Sequence, residues 1–85
     1  YGIVSRVVPA DQLLETANEM AAMIAGYAPV AIRGLKEITN AQADMTMEQA
    51  TRFDASLRWI VGQTEDSKEG ARAFSEKRKP EFKGE

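Results

Sequence analysis

The chain has 85 residues and a mass of 9.4 kDa, room for one small domain, because a protein this short buries only about 60 to 65 % of the surface its unfolded form exposes. Hydrophobic residues make up 44 % and charged residues 28 %, with six Gly and three Pro, a globular composition well away from collagenous, low-complexity or disordered chains. Eleven Lys and Arg against thirteen Asp and Glu leave a formal charge of −2, which gives no field for nucleic-acid phosphates or an anionic membrane; the absence of Cys and His removes disulfides, thiolate nucleophiles, the commonest metal ligand and the usual general base.

The first residues, Tyr1-Gly2-Ile3-Val4, are apolar, carry no charged leader pattern and open in the manner of a chain entered in mid-fold. Ile3, Val4, Val7 and Val8 are β-branched and stop at Pro9, which predicts a short extended segment whose partner lies elsewhere. A first helix is expected from about Pro9 or Ala10 to Ala25, with Asp11 and Glu15 near its positive end and Gly26 closing it. Leu13, Ala17, Met20, Ala21 and Ile24 recur at spacings of three and four and define its apolar face. The longest run without charge, Met20 to Ile32, is broken by Gly26 and Pro29 and falls far below the roughly 20 apolar residues of a membrane span.

Pro29 suits the first turn of a second helix reaching to about Ala43, with Ala31, Leu35 and Ile38 inward and Arg33, Lys36 and Glu37 outward. Gly34 in its middle costs about 1 kcal/mol relative to Ala, which anticipates a close helix contact there. Thr46 and Gln49 have the spacing of a capping box, starting a third helix with Ala50, Phe53, Leu57 and Ile60 buried, Arg52, Asp54 and Arg58 solvated, and an end near Gly62. Thr64 caps a fourth helix with Glu65 and Asp66 in its first turn and Lys77, Arg78 and Lys79 in its last, a charge order matched to the helix dipole. Pro80 stops it, and Phe82 is the only apolar anchor of the remaining tail. The expected architecture is all-α, about four amphipathic helices after a short extended N-terminal segment.

Three stretches carry a resemblance. YGIVSRVVPADQLLETANEMAAMIA, APVAIRGLKEITNA and TEDSKEGARAFSEKRKPEFKGE resemble, in order and spacing, the carboxyl-terminal third of the crotonase superfamily, the enoyl-CoA hydratases and isomerases. The first is similar to that family's strand exit "G-L-V-x-x-V-V-P", the second to its "P-x-A-x-x-x-x-K" helix, and the third to its "E-D-x-x-E-G-x-x-A-F-x-E-K-R-x-P-x-F" ending.

The resemblance implies that residues 1–85 are the C-terminal helical region, concerned with trimerisation and the coenzyme A site, of a parent about three times as long. That parent's spiral core of repeated β-β-α units would precede Tyr1. It implies an acyl-CoA lyase, an enoyl-CoA hydratase or a 3-hydroxyacyl-CoA (3-hydroxybutyryl-CoA) dehydratase, with an isomerase or thioester hydrolase as alternatives that share this ending. In such enzymes an oxyanion hole stabilises the thioester enolate and, in the hydratases, a pair of Glu handles water and proton. Those groups are expected upstream, so no catalytic residue and no metal ligand is assigned here, and the segment alone is expected to be inactive. The implied setting is fatty acid metabolism in the cytoplasm, or in the mitochondrial matrix of a eukaryote. The implied assembly is a homo-oligomer, a trimer or dimer of trimers, with no nucleic-acid or membrane partner.

The family's "A-F-x-E-K-R" run places Phe74 and Lys77 at positions that contact the coenzyme A nucleotide, often in a neighbouring subunit's site; no prosthetic group is implied, only the coenzyme A moiety of the substrate. An aromatic face suits adenine and an ammonium suits phosphate. Against this stands a plainer pair of roles, Phe74 as a core anchor and Lys77 as a solvated cation favoured by the helix dipole. Arg78, Lys79 and Lys83 offer an addition to a basic phosphate-facing edge, but their alternation with Glu76, Glu81 and Glu85 favours a solvated face. Glu65, Asp66 and Glu69 read as capping and dipole residues, Lys36 as a surface charge, and Met20, Met23, Met45 and Met47 as packing or interface residues. Trp59 falls off the buried stripe and suits either a subunit contact or a wall of an acyl pocket. A different class of function, a free-standing helical interaction module, would give Lys77 no nucleotide to meet.

Overall fold

A computed structural model describes all residues, 1–85. Tyr1 to Pro9 form no strand and are exposed except for half-buried Val8. Pro9 then caps a 3-10 turn, Ala10–Gln12, that leads directly into α1, Leu13–Ala25. Gly26 closes α1 by donating its N–H to the carbonyls of Ala22 and Met23, both at 3.2 Å, with φ of −80° rather than in a left-handed turn. α2 is Pro29–Ala41, with Pro at its first position where the missing N–H removes no helical bond. It ends earlier than its sequence predicts, because Gln42–Asp44 tighten into a second 3-10 turn before the chain extends at Met45.

The capping box at Thr46 forms as its spacing requires. The Gln49 N–H donates to Thr46 Oγ1 at 3.2 Å and the Thr46 N–H to Gln49 Oε1 at 3.0 Å, opening α3, Met47–Gly62. Thr64 Oγ1 accepts from Ser67 N–H at 3.1 Å and opens α4, Glu65–Glu76. All four expected helices are present and there is no strand; none is long and apolar enough to cross a membrane.

Packing is confined to one part of the molecule. α2 lies against α3, and α3 touches α4, while α1 extends from them with no comparable neighbour. The fully buried residues are Ile38, Ala73 and Asp66, with Ala50, Phe53, Leu57 and Val61 half-buried between the helices. Two inward assignments are thereby corrected, since Leu35 and Ile60 are exposed, and the apolar face of α1 has no fully buried residue. Val61 takes the position expected of Ile60, and it is Val61 that approaches Gly34. Asp54, expected in solvent, is half-buried and accepts from Arg58 Nε at 2.7 Å. Met20 and Met45 are half-buried whereas Met23 and Met47 are exposed.

The shape accounts for this thin core. The radius of gyration is 16.1 Å and the extents are 42 × 39 × 19 Å, against a radius of roughly 12 Å for a compact domain of this length. The accessible surface is 7347 Å², where a compact 9.4 kDa protein would have roughly 5,000 Å². Apolar helix faces are therefore turned outward, among them Leu14, Leu35, Trp59 and Ile60.

Candidate functional site

The end of α4 departs most from its sequence reading. Lys77, Arg78 and Lys79 do not form the last helical turn: the helix stops at Glu76 and Lys77 adopts the left-handed conformation, φ 55° and ψ 40°. Lys77 N–H donates to the Phe74 carbonyl at 3.2 Å and Arg78 N–H reaches back to the Ala73 carbonyl at 3.0 Å, the hydrogen-bond pair of a Schellman motif. The left-handed position of that motif usually holds Gly, since an L side chain there costs about 1–2 kcal/mol. Lys77 is the only non-Gly residue of the chain with positive φ.

The two residues singled out by resemblance meet at this reversal, but not as i, i+3 neighbours of one helix face, because Lys77 has already left the helix. Ala73 is 1 % exposed and points into the packed side, so its neighbour Phe74, about 100° further round the helix, points away and is 88 % exposed. Within residues 1–85 no core therefore covers Phe74. Lys77 is exposed and takes part in no ion pair. An uncovered aromatic ring and an unpaired ammonium thus flank one turn of backbone.

Arg78 is the opposite case. Its Nη1 lies 2.5 Å from Glu69 Oε1 and its Nη2 3.1 Å from Glu69 Oε2, a forked pairing, while Nε reaches Glu76 Oε2 at 2.5 Å. Glu69, with a side chain 16 % exposed, also accepts the backbone N–H of Glu81 at 3.1 Å. The Arg78 hydrogen bonds, then the Glu81 N–H, hold its carboxyl down to about 2 from an ordinary 4.5. The same pairing with Glu69 and Glu76 raises the Arg78 pKa further. Arg78 thus stays on the exposed face expected of it but is tied there by two carboxylates.

Beyond Pro80 the chain turns back along α4. Phe82 packs over Gly70, where a Cβ would stand 3.7 Å from the Phe82 ring, so Phe82 is the apolar anchor its position suggests. Asp66, 3 % exposed, accepts Lys83 N–H at 2.7 Å through Oδ1 and Gly84 N–H at 2.8 Å through Oδ2, and its own N–H donates to the Glu85 carbonyl at 3.0 Å. Gly84, at φ +81°, sits against the Pro29 ring that opens α2, with a Cβ there meeting Pro29 Cγ at 3.5 Å. Asp66 and Glu69 are therefore more than dipole partners: they hold a strap, Pro80–Glu85, against the helix. Glu65 keeps the simpler role and pairs with Lys68 at 2.5 Å.

Sequence reasoning missed the strap clamp because Glu69 and Arg78 stand nine positions apart across a helix end whose direction the sequence leaves open. The available signal was a helix ending before Pro80 with no Gly to reverse it, so that other residues had to hold the reversal. Trp59, 71 % exposed on α3, and a cleft of about 320 Å³ bordered by Leu35, Ile38, Leu57 and Val61 lie on other faces.

The sequence model of the enoyl-CoA hydratase/isomerase family matches residues 1–85. The carnitinyl-CoA dehydratase of Salmonella arizonae is 44 % identical over 88 residues, covering 99 % of this chain and 34 % of that protein. A probable mitochondrial enoyl-CoA hydratase of Dictyostelium discoideum is 40 % identical over 79 residues, 93 % of this chain and 28 % of its own length. Among solved structures, the enoyl-CoA hydratase of Bacillus anthracis superposes with a TM-score of 0.93 at 38 % identity, over 100 % of this chain and 33 % of that one. The chain thus spans about a third of the length of these relatives. Matched from end to end in sequence and in the course of its helices, the chain belongs to the enoyl-CoA hydratase/isomerase family.

Proposed function

We propose that this chain is the helical C-terminal region of a crotonase-type hydratase or dehydratase, and that the turn at Phe74 and Lys77 meets the nucleotide end of an acyl-CoA substrate. The observation that supports the reading is the pairing, on one helix end, of an exposed aromatic ring with a cation that no carboxylate neutralises. Glu69 and Glu76 are both engaged by Arg78, which leaves the Lys77 ammonium for an external phosphate. The Phe74 face is available to a purine, and Lys supplies a mobile point charge suited to phosphate. The curated relatives act, by name, as a carnitinyl-CoA dehydratase and an enoyl-CoA hydratase, which favours reversible addition of water to an acyl-CoA thioester over a free-standing interaction module. The bond-making groups are placed outside residues 1–85, and the outward apolar faces are assigned to contacts with the rest of such an enzyme and with its sister subunits.

The test uses the full-length protein, assayed with crotonyl-CoA, 3-hydroxybutyryl-CoA and carnitinyl-CoA for interconversion of hydroxyacyl and enoyl thioesters. Turnover of at least one supports the reading; turnover of none rejects it. For the nucleotide contact, the measured quantity is KM for acyl-CoA divided by KM for the matching acyl-pantetheine thioester. Phe74→Ala and Lys77→Ala should each raise that ratio. Equal effects on the two substrates would show that neither side chain reaches the nucleotide.

A further inference from the structure

The backbone of Lys77 occupies a conformation that costs an L residue about 1–2 kcal/mol, and such strain persists only where the surroundings over-determine it. At Lys77 they do so from both sides. On the helix side, Lys77 N–H and Arg78 N–H are bonded to the carbonyls of Phe74 and Ala73 at 3.2 and 3.0 Å, and Ala73 is sealed in the packed face. On the far side, the next residue is forked onto Glu69, and Glu69 also grips Glu81 N–H at 3.1 Å. The strap then continues over Gly70 through Phe82, is bonded at Lys83 and Gly84 by the buried Asp66 carboxylate, and ends against Pro29 of α2. Pro80–Glu85 spans roughly 20 Å when extended and α4 is about 18 Å long, so the strap returns along nearly the whole helix, from its carboxyl end to its first turn.

Two features argue that this arrangement serves Lys77 rather than the fold alone. First, Gly at the reversal would relieve the backbone cost, yet the position holds a long cationic side chain. Second, within the run Lys77-Arg78-Lys79, the anchoring falls on Arg78, whose planar fork matches a carboxylate, and the neighbouring ammonium is left without a counter-charge. A strap serving stability alone requires neither.

We propose that Glu69 and Asp66 are positioning residues: by clamping the strap on α4 they hold the left-handed turn that aims the Lys77 ammonium, beside the exposed Phe74 ring, at the phosphates of the acyl-CoA substrate. This rests on the nucleotide reading of Phe74 and Lys77 given above. Neither carboxylate touches the ligand; each acts through the direction in which the chain leaves α4. Arg78 is the intermediary, and its charge is spent on Glu69 rather than offered to the substrate.

The experiment is carried out on the full-length enzyme with acyl-CoA and acyl-pantetheine thioesters of the same acyl group. The readout is the ratio of their KM values, with kcat on acyl-pantetheine reporting that the catalytic part is folded. Lys77→Ala should raise the ratio about tenfold, the worth of one charged hydrogen bond. Glu69→Gln and Asp66→Asn should each raise it several-fold, and Arg78→Lys, which keeps the charge but loses the fork, should also raise it. The double variant Glu69→Gln/Lys77→Ala should equal Lys77→Ala alone, since a residue acting through Lys77 has nothing left to aim. If Lys77→Ala raises the ratio while Glu69→Gln and Asp66→Asn leave it unchanged, the strap's role is overturned and the nucleotide reading stands. Additivity in the double variant would overturn the strap's role in the same way. If Lys77→Ala leaves the ratio unchanged, the nucleotide reading itself falls and the strap's role with it. Should Glu69→Gln lose acyl-pantetheine turnover through misfolding, Asp66→Asn and Arg78→Lys decide the outcome in its place.

Discussion

Gly34 on α2 faces Val61 on α3 across the best-packed interface of the molecule, and a Cβ built on Gly34 would stand 3.6 Å from Val61 Cγ2. That is ordinary van der Waals contact. The helices approach closely at Gly34, yet not so closely that only a hydrogen fits. Ala at this position should therefore gain helix propensity of about 0.8–1 kcal/mol without a clash. Gly34→Ala is expected to raise the thermal midpoint of the full-length protein, and Gly34→Leu to lower it by overfilling the same gap. Differential scanning calorimetry distinguishes the two; a destabilising Ala would mean that the helices sit closer than 3.6 Å allows.

Lys77 offers an exchange of stability against binding. Lys77→Gly removes the left-handed penalty and should stabilise the folded protein by about 1 kcal/mol, while weakening acyl-CoA binding as much as Lys77→Ala does. Lys77→Ala keeps the backbone cost and should leave stability near that of the parent. Chemical denaturation paired with the KM ratio checks both halves; equal stability of the Gly and Ala variants would mean that the turn at Lys77 is not strained.

The Glu69 carboxyl, lowered to about 2 in the folded chain from an ordinary 4.5, fixes the sign of an acid effect. A depressed pKa contributes stability that is complete above the unfolded value and is lost as pH falls toward the folded one. Glu69→Gln should thus lower the thermal midpoint by a constant amount from neutral pH down to about pH 5. Below that the difference should narrow progressively between 4.5 and about 2. Melting curves of the parent and the variant across this range test it, and a gap that widened with acid would reverse the assignment.

Thr46 caps α3 through a reciprocal pair of hydrogen bonds at 3.0 and 3.2 Å. Thr46→Ala removes the acceptor for the Gln49 N–H and should cost about 1 kcal/mol, whereas Thr46→Ser should be nearly neutral. Equilibrium urea unfolding measures the difference; an Ala variant as stable as Ser would show that solvent replaces the cap.

An accessible surface of 7347 Å², roughly half as large again as the surface expected of a compact chain of this mass, leaves apolar faces that water disfavours. Residues 1–85 prepared by themselves should associate, with α1 as the least protected helix because it has no helix packed on it as closely as α2 is on α3. Light scattering after size-exclusion chromatography and amide hydrogen exchange are the measurements. A monodisperse monomer with α1 amides as protected as those of α3 would contradict the expectation.

Much of the fold is local and was therefore legible in residue order. The caps at Thr46 and Thr64, Pro29 at the start of α2, and the break at Gly26 are decided within a few residues, so the existence and approximate limits of four helices follow from the sequence, and the three motif stretches point to the family. Burial was less legible. Leu35 and Ile60 were placed inward by periodicity yet are exposed, and on α3 the inward position belongs to Val61, because a stripe states which face is apolar, not whether a partner covers it. The candidate pair Phe74 and Lys77 was found from its motif, while its geometry depended on where α4 ended.

What the sequence determined by itself is the set of helices, their starting signals and their kinship, because these rest on hydrogen bonds and spacings that close within one or two turns. Only the tertiary structure decided that Lys77 reverses the chain in a left-handed turn, that Phe74 faces outward, and that Asp66 and Glu69 bind the returning strap. The turn closes through bonds to Phe74 and Ala73, but the strap that holds it depends on contacts between residues nine to nineteen positions apart, and no local preference fixes the path of a chain once it has left its helix.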